Sequence, residues 1–579
     1  MSTTISRADR ELGPGGPPRR SAPARLAARV ATWPVLVQAG CLGFLALFLF
    51  VPLTTVLTRS VVDDGEFTTE ALRALFSGYY VRPIVNTLVV ASLVTVLSLL
   101  ISAPLAFLLA CTDIRPRRTL TALMLVPYAL PAPFLAMVWV NLFISNGVLE
   151  QLVGTSFGVP VYGMGALVVV QSFHLFPLAV TALATAWAGL GADLPGAARV
   201  HGASARREFR SVSLPLVRPA LVNAALLVFA ASVAEFGTPL LLAGPVGYRV
   251  LTTEIYSQLT VFPINVALAS AMALVLCCVT YTTLIGARRM LRDRNFVTVR
   301  AGALAARRFV ALGRARTPVS VLAGGVLLAL IALPLATGVL IALTDVWGRG
   351  LGPDNWTAHH FADVLWKSDR TRHAIVNVVV LGALAGFCAA ALGFLCAHLA
   401  IRRGGRSGRL IDTLVFVPYV VPGVVLAIGL VLTFRRDSLL PLVATYTILL
   451  LAYVLRFLPV AYRTENAALA QVDERFEHAS RVFGASWPRA TFGIGARLTT
   501  AALAGAWVLV FVSVLKEVSA STLLWSPGHE VAPVLAIVLF RDGEVQQGVA
   551  LNLVLAVVAI ILTLVMQGFG GRDKTRRTK

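Results

Sequence analysis

The sequence is poor in lysine and lacks a phosphate-binding loop. It has four lysines, Lys367, Lys516, Lys574 and Lys579, and none of them follows a glycine. A Walker-type loop needs Gly-Lys followed by Ser or Thr, so that backbone amides and the lysine side chain can hold the phosphates. We therefore expect the chain to hydrolyse no ATP itself, to need no cofactor and to be no enzyme.

Cysteine and charge are also scarce. The six cysteines lie in or beside apolar runs and show no CxxC or Cys/His spacing, so we predict no disulfide framework and no metal site. Only 13% of the 579 residues are charged, whereas 57% are hydrophobic and the mean hydropathy is +0.80. This composition excludes a soluble protein and is typical of a polytopic membrane protein.

Twelve apolar runs are long enough to cross the bilayer, because about 30 Å of hydrocarbon takes roughly 20 residues. The predicted spans are 35–58, 84–110, 120–143, 164–189, 217–243, 264–287, 319–343, 374–400, 411–433, 439–462, 498–524 and 547–569. We therefore predict an all-α polytopic membrane protein with about twelve transmembrane helices.

The net charge of +22 indicates membrane topology rather than nucleic-acid binding. Arginines crowd the N-terminal tail, the connections 111–119, 197–219, 288–316 and 402–409, and the tail 572–579. The intervening connections are poor in charge or balanced, with Arg435 and Arg436 as a small exception. This alternation is the positive-inside pattern. It predicts both termini in the cytoplasm, and a lipid membrane rather than nucleic acid as the partner.

Three short motifs of the first half recur in the second half. "IVN" at 84–86 returns at 375–377, "VPYALP" at 126–131 returns as "VPYVVP" at 417–422, and "RVHGAS" at 199–204 returns as "RVFGAS" at 481–486. Each half holds six predicted spans, so both repeats enter the membrane in the same direction. The predicted divisions are a basic cytoplasmic tail at 1–34, a first six-helix repeat at 35–290, a cytoplasmic linker at 291–318, a second six-helix repeat at 319–569 and a cytoplasmic tail at 570–579.

The connections between the fourth and fifth predicted spans carry arginines and a matching glycine. We call 197–215 bend one and 479–497 bend two. Gly202 and Gly484 are expected to adopt a positive φ that turns one short helix into the next, and small alanines let such a helix lie in a groove of a partner. The candidate docking residues are Ala197, Ala198, Arg199, Gly202, Ala203, Leu214 and Pro215 in bend one, and Glu477, Ala479, Arg481, Gly484 and Ala485 in or beside bend two. An ordinary basic loop is the alternative.

The spacing in bend one resembles the EAA motif of binding-protein-dependent ABC importer permeases. That motif runs Glu-Ala-Ala, three residues, Gly, nine residues and then Ile-x-Leu-Pro. Bend one has Ala197, Ala198 and Gly202 at this spacing, followed by "VSLP" at 212–215. Its recurrence at the same place in the second half makes chance a poor explanation.

Both bends depart from the motif. Gly196 stands where the motif has Glu, and in bend two His478 does, with Glu477 one residue earlier. Bend two also ends in "IGAR" at 494–497 instead of Ile-x-Leu-Pro. Coupling through bend two is therefore expected to be weaker or differently shaped.

The resemblance covers almost the whole chain and is strongest to the fused permeases of ferric-iron importers, a group related to thiamine, putrescine and phosphonate permeases. It rests on "EFGTPLLL" at 235–242, "LTTEIY" at 251–256, "YVLRFLP" at 453–459 and "LKEVSASTLL" at 515–524. It implies a type I importer fold in a bacterial cytoplasmic membrane, two cytoplasmic ATPase subunits that dock at the bends, and an extracytoplasmic binding protein that delivers ferric iron. The alternatives are a thiamine, polyamine or phosphonate permease of the same type, an ion-coupled secondary transporter, and a membrane sensor or scaffold.

Two carboxylates occupy matching places on the fifth predicted spans. Glu235 and Glu517 are 282 residues apart, as are the glycines of the bends, and each lies about 27 Å along a helix from its cytoplasmic start. Ionisable groups at such a depth usually face a cavity or a partner. We expect them to line or gate a pathway, with Tyr128 and Tyr419 as further pathway candidates. The alternatives are structural carboxylates, a pair between Glu517 and the other half, or direct ligation of a metal cargo.

His174 and Arg456 are also equivalent, each three residues before a proline of the fourth span. We expect them in the inner third of that span, where snorkelling to the cytoplasmic interface explains a lone arginine. The third spans carry paired prolines, Pro127 with Pro131 and Pro418 with Pro422. These are expected to interrupt the helix backbone, and either to line the pathway or to set helix packing.

Overall fold

The computed structural model describes residues 22–63, 65–189, 193–292 and 310–576. Parts of the predicted tails and linker, at 1–21, 293–309 and 577–579, lie outside the described residues. Within the described ranges, nine helices are long and apolar enough to cross a membrane, and three pairs of bent helices bring the number to twelve. The prediction of an all-α chain with about twelve membrane spans is confirmed.

Helices account for nearly all of the described secondary structure. The first half contains α1 Ala22–Leu45, α2 Val51–Arg59, α3 Glu70–Ala74, α4 Val81–Cys111, α5 Arg117–Ala129, α6 Ala132–Phe143, α7 Val148–Val153, α8 Met164–Gly189, α9 Asp193–Val200, α10 Ala205–Glu208, α11 Leu214–Val233, α12 Gly237–Leu242, α13 Leu251–Thr260 and α14 Val266–Arg292, with one antiparallel hairpin of β1 Val62–Asp63 and β2 Glu66–Phe67. The second half contains α15 Arg316–Ala342, α16 His359–Ala362, α17 Asp369–Arg403, α18 Gly405–Val415, α19 Val417–Val420, α20 Gly423–Thr433, α21 Tyr446–Leu469, α22 Arg475–Val482, α23 Trp487–Ala490, α24 Ala496–Leu498, α25 Thr500–Leu515, α26 Ser521–Leu524, α27 Ala532–Arg541 and α28 Val545–Arg576. Helices predominate because a membrane span must satisfy its own backbone hydrogen bonds.

The third spans of both halves are broken at proline, as predicted. Helices α5 and α6 meet at an angle of 87°, and the α18–α19 segment meets α20 at 100°. The breaks fall at Leu130 and Val421, which are extended with ψ of 139° and 117°. Each precedes a proline, whose ring excludes the helical conformation for the residue before it and which has no N–H to continue the helix.

The fifth spans are also broken, so the prediction of continuous helices over 217–243 and 498–524 is wrong. Helix α11 ends at Val233 and α25 ends at Leu515, just before the two carboxylates. Each carboxylate then accepts a hydrogen bond from a backbone N–H three residues later: Glu235 Oε1 from Thr238 at 3.4 Å, and Glu517 Oε1 from Ala520 at 2.8 Å. The acidic side chains thus satisfy donors that the helix breaks leave free.

The two halves pack through their first and third spans. Helix α2 of the first half lies against α20 of the second, and α15 of the second half lies against α5 and α6 of the first. The contacts are close: a Cβ on Gly429 would lie 2.9 Å from the carbonyl oxygen of Pro52, and one on Gly338 would lie 2.8 Å from the Phe134 ring. The broken third spans are thereby clamped against the opposite half.

Six spans separate the two bends, so both bends lie on the same side of the bundle. We call this the bend side and the opposite one the far side. The far side carries the β1–β2 hairpin and the long connection at 343–368 between α15 and α17.

Candidate functional site

A cavity of about 280 Å³ lies between the two halves, where the broken spans meet. Its polar lining consists of Tyr128, His174, Glu235 and Thr280 from the first half and Tyr419, Arg456, Ser513, Lys516, Glu517 and Ser519 from the second. All four predicted pathway candidates, Glu235, Glu517, Tyr128 and Tyr419, are therefore lining residues. The prolines Pro133, Pro418 and Pro422 line it as well, so the third-span breaks shape this cavity.

Arg456 and Glu517 form an ion pair within the second half. The Nε atom of Arg456 lies 2.7 Å from Oε2 of Glu517, whose side chain is only 5% exposed. The alternative that Glu517 pairs with the other half is therefore wrong. Snorkelling is also wrong for Arg456, because it lies near the middle of α21 and points into the cavity rather than to the interface. Gly423 packs directly under its guanidinium, where a side chain would clash.

Lys516 connects the two halves across the cavity. Its Nζ donates a hydrogen bond of 2.6 Å to the carbonyl oxygen of Tyr128 and lies 3.8 Å from the centroid of the Tyr128 ring. An ammonium group in contact with both a carbonyl oxygen and an aromatic face is favourably placed when it is shielded from water. No motif in the sequence marks Lys516 as a site residue, although its position beside Glu517 and the rarity of lysine are signals.

His174 supports the Tyr128 side of the cavity. Its Nδ1 donates to the carbonyl oxygen of Pro127 at 3.1 Å, a group freed by the break between α5 and α6, and its ring stacks on Tyr128 at 5.5 Å. His174 is 7% exposed and lies near the middle of α8. The expectation that His174 lies in the inner third of its span is therefore wrong. Its side chain contacts the break between α5 and α6 rather than the cytoplasmic membrane interface.

Glu235 differs from its counterpart Glu517. In the described part of the chain no Lys, Arg or His nitrogen lies within 4 Å of its carboxylate, whose Oε1 accepts a long hydrogen bond of 3.4 Å from the Thr238 N–H. The cavity thus holds two cationic side chains and two carboxylates. The Glu517 carboxylate is paired with Arg456, whereas the Glu235 carboxylate is available to bind a cargo.

The two bends have the same backbone geometry. Gly202 has a φ of +82° and Gly484 a φ of +87°, which confirms the predicted positive φ. Ala203 N–H bonds the carbonyl oxygen of Ala198, and the equivalent Ala485 N–H bonds that of Ser480, each at 3.0 Å. Together with the bonds from each glycine to the residue three before it, these form a Schellman motif, which ends a helix with a left-handed glycine.

The tips of both bends expose apolar side chains. Val200 is 85% exposed, and in bend two Val482 and Phe483 are 84% and 91% exposed. A Cβ added to either glycine would meet no atom within 4 Å, so the described part of the chain leaves this surface open. Of the predicted docking residues, Ala197, Arg199, Gly202, Leu214, Pro215, Ala479, Arg481 and Gly484 are exposed, and Ala198, Ala203 and Ala485 are partly buried.

Glu477 is the exception among the predicted docking residues, because it faces inward. It is 6% exposed and accepts hydrogen bonds from His398 Nε2 at 2.8 Å and from Arg402 Nε at 3.3 Å, both at the end of α17. Burial alone would raise the pKa of Glu477, but the hydrogen bonds and charges of His398 and Arg402 outweigh it, and the net pKa is lowered. Glu477 therefore ties bend two to α17, which is the second span of the second half, and offers no surface to a partner.

Bend one is held by a different carboxylate. Glu208, 5% exposed, accepts a hydrogen bond from the Ser213 hydroxyl and forms an ion pair of 3.2 Å with Arg199. All three residues belong to bend one itself. The carboxylate contacts of bend one thus stay within the bend, whereas those of bend two reach α17. Bend one packs on the membrane spans through Phe209, whose ring lies 5.8 Å from those of Phe107 in α4 and Trp187 in α8.

The comparisons with known proteins agree with the twofold architecture. The family described as "Binding-protein-dependent transport system inner membrane component" matches residues 102–290 and again residues 389–571. The chain belongs to this family of ABC importer permeases, with two copies of the family's unit fused in one polypeptide, and it is a multi-pass membrane protein. It accordingly has the type I importer permease fold.

Individual relatives are transport permeases. The chain is 27% identical over 540 residues to the ferric transport system permease protein FbpB of Actinobacillus pleuropneumoniae, covering 90% of this chain and 76% of that protein. It is 27% identical over 510 residues to a putative ferric transport system permease protein of Haemophilus influenzae, covering 85% and 78%. It is also 24% identical over 270 residues to a putative 2-aminoethylphosphonate transport system permease protein of Salmonella typhimurium, covering 45% of this chain and 96% of that protein.

Proposed function

We propose that the chain is the permease of an ATP-driven importer of ferric iron. Two separate ATPase subunits bind it at bends one and two on the cytoplasmic side, and a binding protein delivers the cargo on the far side. The observation that carries this proposal is the pair of matching Schellman bends whose apolar tips, Val200, Val482 and Phe483, project from the membrane domain. A short helix with an apolar tip fits a groove on a partner, and the neighbouring arginines favour an acidic rim around it.

The ferric cargo is supported by relatives that match both halves. The two relatives named for ferric transport align with 90% and 85% of this chain. The cavity adds a chemical argument, because ferric iron prefers oxygen ligands and Glu235, Tyr128 and Tyr419 supply a free carboxylate and two phenols there. Glu517 is less suited to the cargo, because Arg456 already occupies its carboxylate.

In this proposal the contact of Lys516 with Tyr128 holds the two halves together on either side of the closed cavity. It is the polar tie across the cavity, and it joins the break of the third span in one half to the break of the fifth span in the other. Opening the cavity requires the halves to separate at this point. ATP binding by the ATPase subunits docked at the bends supplies the work, and the Lys516–Tyr128 contact forms again after hydrolysis.

A phosphonate importer is a second candidate that one observation favours. Lys516 and Arg456 place two cationic side chains in the cavity, and the Salmonella relative named for 2-aminoethylphosphonate matches 45% of this chain. An anionic cargo would bind these side chains in place of Tyr128 and Glu517. Uptake measurements separate this candidate from the ferric one.

The decisive experiment reconstitutes the chain in proteoliposomes with an ATPase that co-purifies with it and with a candidate binding protein. We expect ATP-dependent uptake of radiolabelled ferric iron that excess 2-aminoethylphosphonate or thiamine does not reduce. No iron uptake, with uptake of one of the other two, would refute the proposed cargo and leave the transport class intact.

Docking at the bends has its own test. Gly202→Asp and Phe483→Asp should each reduce co-purification of the ATPase by at least tenfold. Phe262→Asp is the matched control, because Phe262 is 90% exposed on the far side. Equal ATPase recovery with all three variants would contradict docking at the bends.

A further inference from the structure

A group of two histidines and an aspartate lies on the far side, away from the cavity and the bends. One ring nitrogen each of His359 and His360 and one carboxylate oxygen of Asp363 lie within 4.8 Å of one another. They sit on α16 and the π-helical turn that follows it, Asp363–Lys367, in the connection between α15 and α17. His359 and Asp363 are four residues apart, so both side chains project from the same face.

One ring nitrogen of His360 is already engaged. Its Nε2 donates a hydrogen bond of 3.0 Å to the carbonyl oxygen of Thr344, which fixes the ring and leaves the lone pair on Nδ1. That Nδ1 is buried and has no hydrogen-bond partner in the described part of the chain, and His360 itself is 6% exposed. A buried acceptor without a partner is costly unless something else binds it.

His359 is held in the complementary way. Its Nδ1 lies 2.9 Å from the Thr357 hydroxyl and 3.4 Å from Oδ1 of Asp345, whereas its Nε2 faces Oδ2 of Asp363 at 3.9 Å. Metal-binding histidines usually give their other ring nitrogen to a carboxylate or a backbone carbonyl. His360 shows this arrangement with the carbonyl oxygen of Thr344, and Nδ1 of His359 lies against the Thr357 hydroxyl with the Asp345 carboxylate beyond it.

We propose that His359, His360 and Asp363 bind one divalent transition-metal ion through His359 Nε2, His360 Nδ1 and Asp363 Oδ2. Two imidazoles and one carboxylate suit Zn²⁺, Co²⁺ or Fe²⁺ rather than the hard ferric ion, so this site is distinct from the proposed transport pathway. Bonds of about 2.1 Å require ligand atoms about 3.4 Å apart in a tetrahedral site, so the side chains close in by about 1 Å. The partly exposed His359 and Asp363 have the freedom to move.

The surrounding connection is ordered by its own hydrogen bonds. The buried Asn355 bonds the backbone of Val346 and Gly350, and Gln546 at the start of α28 donates to the carbonyl oxygen of Asp345 at 3.2 Å. The histidine partners are therefore held in place before any ion binds. Such prior order lowers the entropic cost of binding.

Lys367 is the competitor for this site. Its Nζ lies 3.5 Å from Oδ1 of Asp363, and it is 66% exposed. The ammonium group occupies one carboxylate oxygen and leaves Oδ2 for the ion. Because its positive charge repels a second cation, Lys367→Met should bind the metal more tightly than the unmodified chain.

The test is metal binding by the full chain, purified without a histidine tag. We expect calorimetry to find one Zn²⁺ per chain, and Co²⁺ to give visible absorption bands of a site with nitrogen and oxygen ligands. His359→Gln and Asp363→Asn should each weaken Zn²⁺ binding by at least tenfold and remove the Co²⁺ bands, and Lys367→Met should strengthen binding severalfold. His373→Gln is the matched control, because His373 is an exposed histidine of the same side and should leave binding unchanged.

His359 and Asp363 are partly exposed, so their variants are expected to fold, and thermal unfolding checks this independently. No stoichiometric Zn²⁺ binding, or binding that persists in the His359→Gln, Asp363→Asn double variant, would overturn the proposal. Binding that His373→Gln weakens as much as His359→Gln would also overturn it.

Discussion

Bend one and bend two share a backbone but differ in what holds them. Both end a short helix with a left-handed glycine and the same pair of hydrogen bonds. Glu208 closes bend one on itself through Arg199 and Ser213, whereas Glu477 ties bend two to His398 and Arg402 of α17. The polar contacts of bend two therefore reach α17, whereas those of bend one stay within the bend. Both bends also pack an aromatic ring on the second span of their own half, Phe209 on Phe107 and Phe492 on Phe394.

The same contrast recurs at the carboxylates of the cavity. Glu235 and Glu517 both bond a backbone N–H three residues later, yet only Glu517 has a cationic partner. Sequence repetition has preserved the turns of the chain, and each half has acquired its own polar contacts. The two halves thus share the backbone turns at the bends and at the carboxylates, and they differ in electrostatics.

The largest effect is expected from Glu517→Gln compared with Glu235→Gln. Loss of the Glu517 charge leaves the Arg456 guanidinium in the protein interior without its partner, which should lower the free energy of unfolding by about 3 kcal/mol. Glu235→Gln should cost less than about 1 kcal/mol, because no ion pair is broken. Thermal unfolding of the purified chain in detergent measures both.

A double variant sharpens this result. In Glu517→Gln, Arg456→Gln the unpaired charge is gone, so part of the lost stability should return. Equal destabilisation by the two single glutamate variants would show that the halves are electrostatically alike.

The next largest effect is expected at Glu477. Glu477→Gln should cost about 2 kcal/mol of local stability, because hydrogen bonds to a charged group are lost. Hydrogen exchange at the Ala485 amide, which closes bend two, should rise while the equivalent Ala203 amide in bend one is unaffected. Glu208→Gln is the converse control and should affect Ala203 alone; spread of either effect to the other bend would contradict independent anchorage.

Bend two should also respond to pH. Since the folded pKa of Glu477 is lowered, its stabilisation is fully present above the unfolded value of about 4.3 and is lost as pH falls through the lower folded value. The protection factor of the Ala485 amide, which compares its exchange with that of an unprotected amide at the same pH, should therefore fall below about pH 4. Glu477→Gln should remove this pH dependence, and an unchanged acid response in that variant would point to another group.

Smaller and equal effects are expected from Gly202→Ala and Gly484→Ala. The left-handed φ costs an L-residue about 1 to 2 kcal/mol, and the added methyl group meets no neighbour in either bend. Each variant should lose about 1 kcal/mol of local stability, because a less flexible unfolded chain offsets part of the strain. Asparagine, which tolerates this φ, is the control at both positions, and unequal losses would mean that the bends differ in backbone as well.

The smallest effect on stability is expected from Phe483→Ser and His201→Ser at the tips of the bends. Both side chains are exposed, so the free energy of unfolding should change by less than about 0.5 kcal/mol. Affinity for the ATPase should nevertheless fall more for Phe483→Ser, because the exposed Phe483 side chain offers a large apolar surface and the His201 side chain does not. Equal affinities would indicate that the partner contacts the bends elsewhere.

Local properties of the chain predicted the fold well. Span positions follow from runs of apolar residues, and the breaks at Leu130 and Val421 follow from the prolines beside them. The glycine turns at Gly202 and Gly484 were predictable because positive φ is a property of the residue itself. The breaks at Glu235 and Glu517 were missed, since no proline marks them and an apolar run looks the same whether or not its helix continues.

The polar partners of the candidate sites could not be read from the sequence. Lys516 meets Tyr128 across 388 residues, and Glu477 meets His398 across 79. The three metal-ligand candidates are close together in the sequence, at 359, 360 and 363. The orientation of both histidine rings, however, depends on Thr344 and Asp345, which approach them only in the folded chain.

The sequence by itself determined the twelve spans, the fused repeat, the two glycine bends and the absence of a phosphate-binding loop, because hydropathy, backbone preference and motif spacing are local. Tertiary structure decided which charges are paired, which carboxylate stays free and which apolar tips remain uncovered. Those outcomes depend on the close approach of helices distant in sequence, where burial makes a charge seek a partner that no local pattern names.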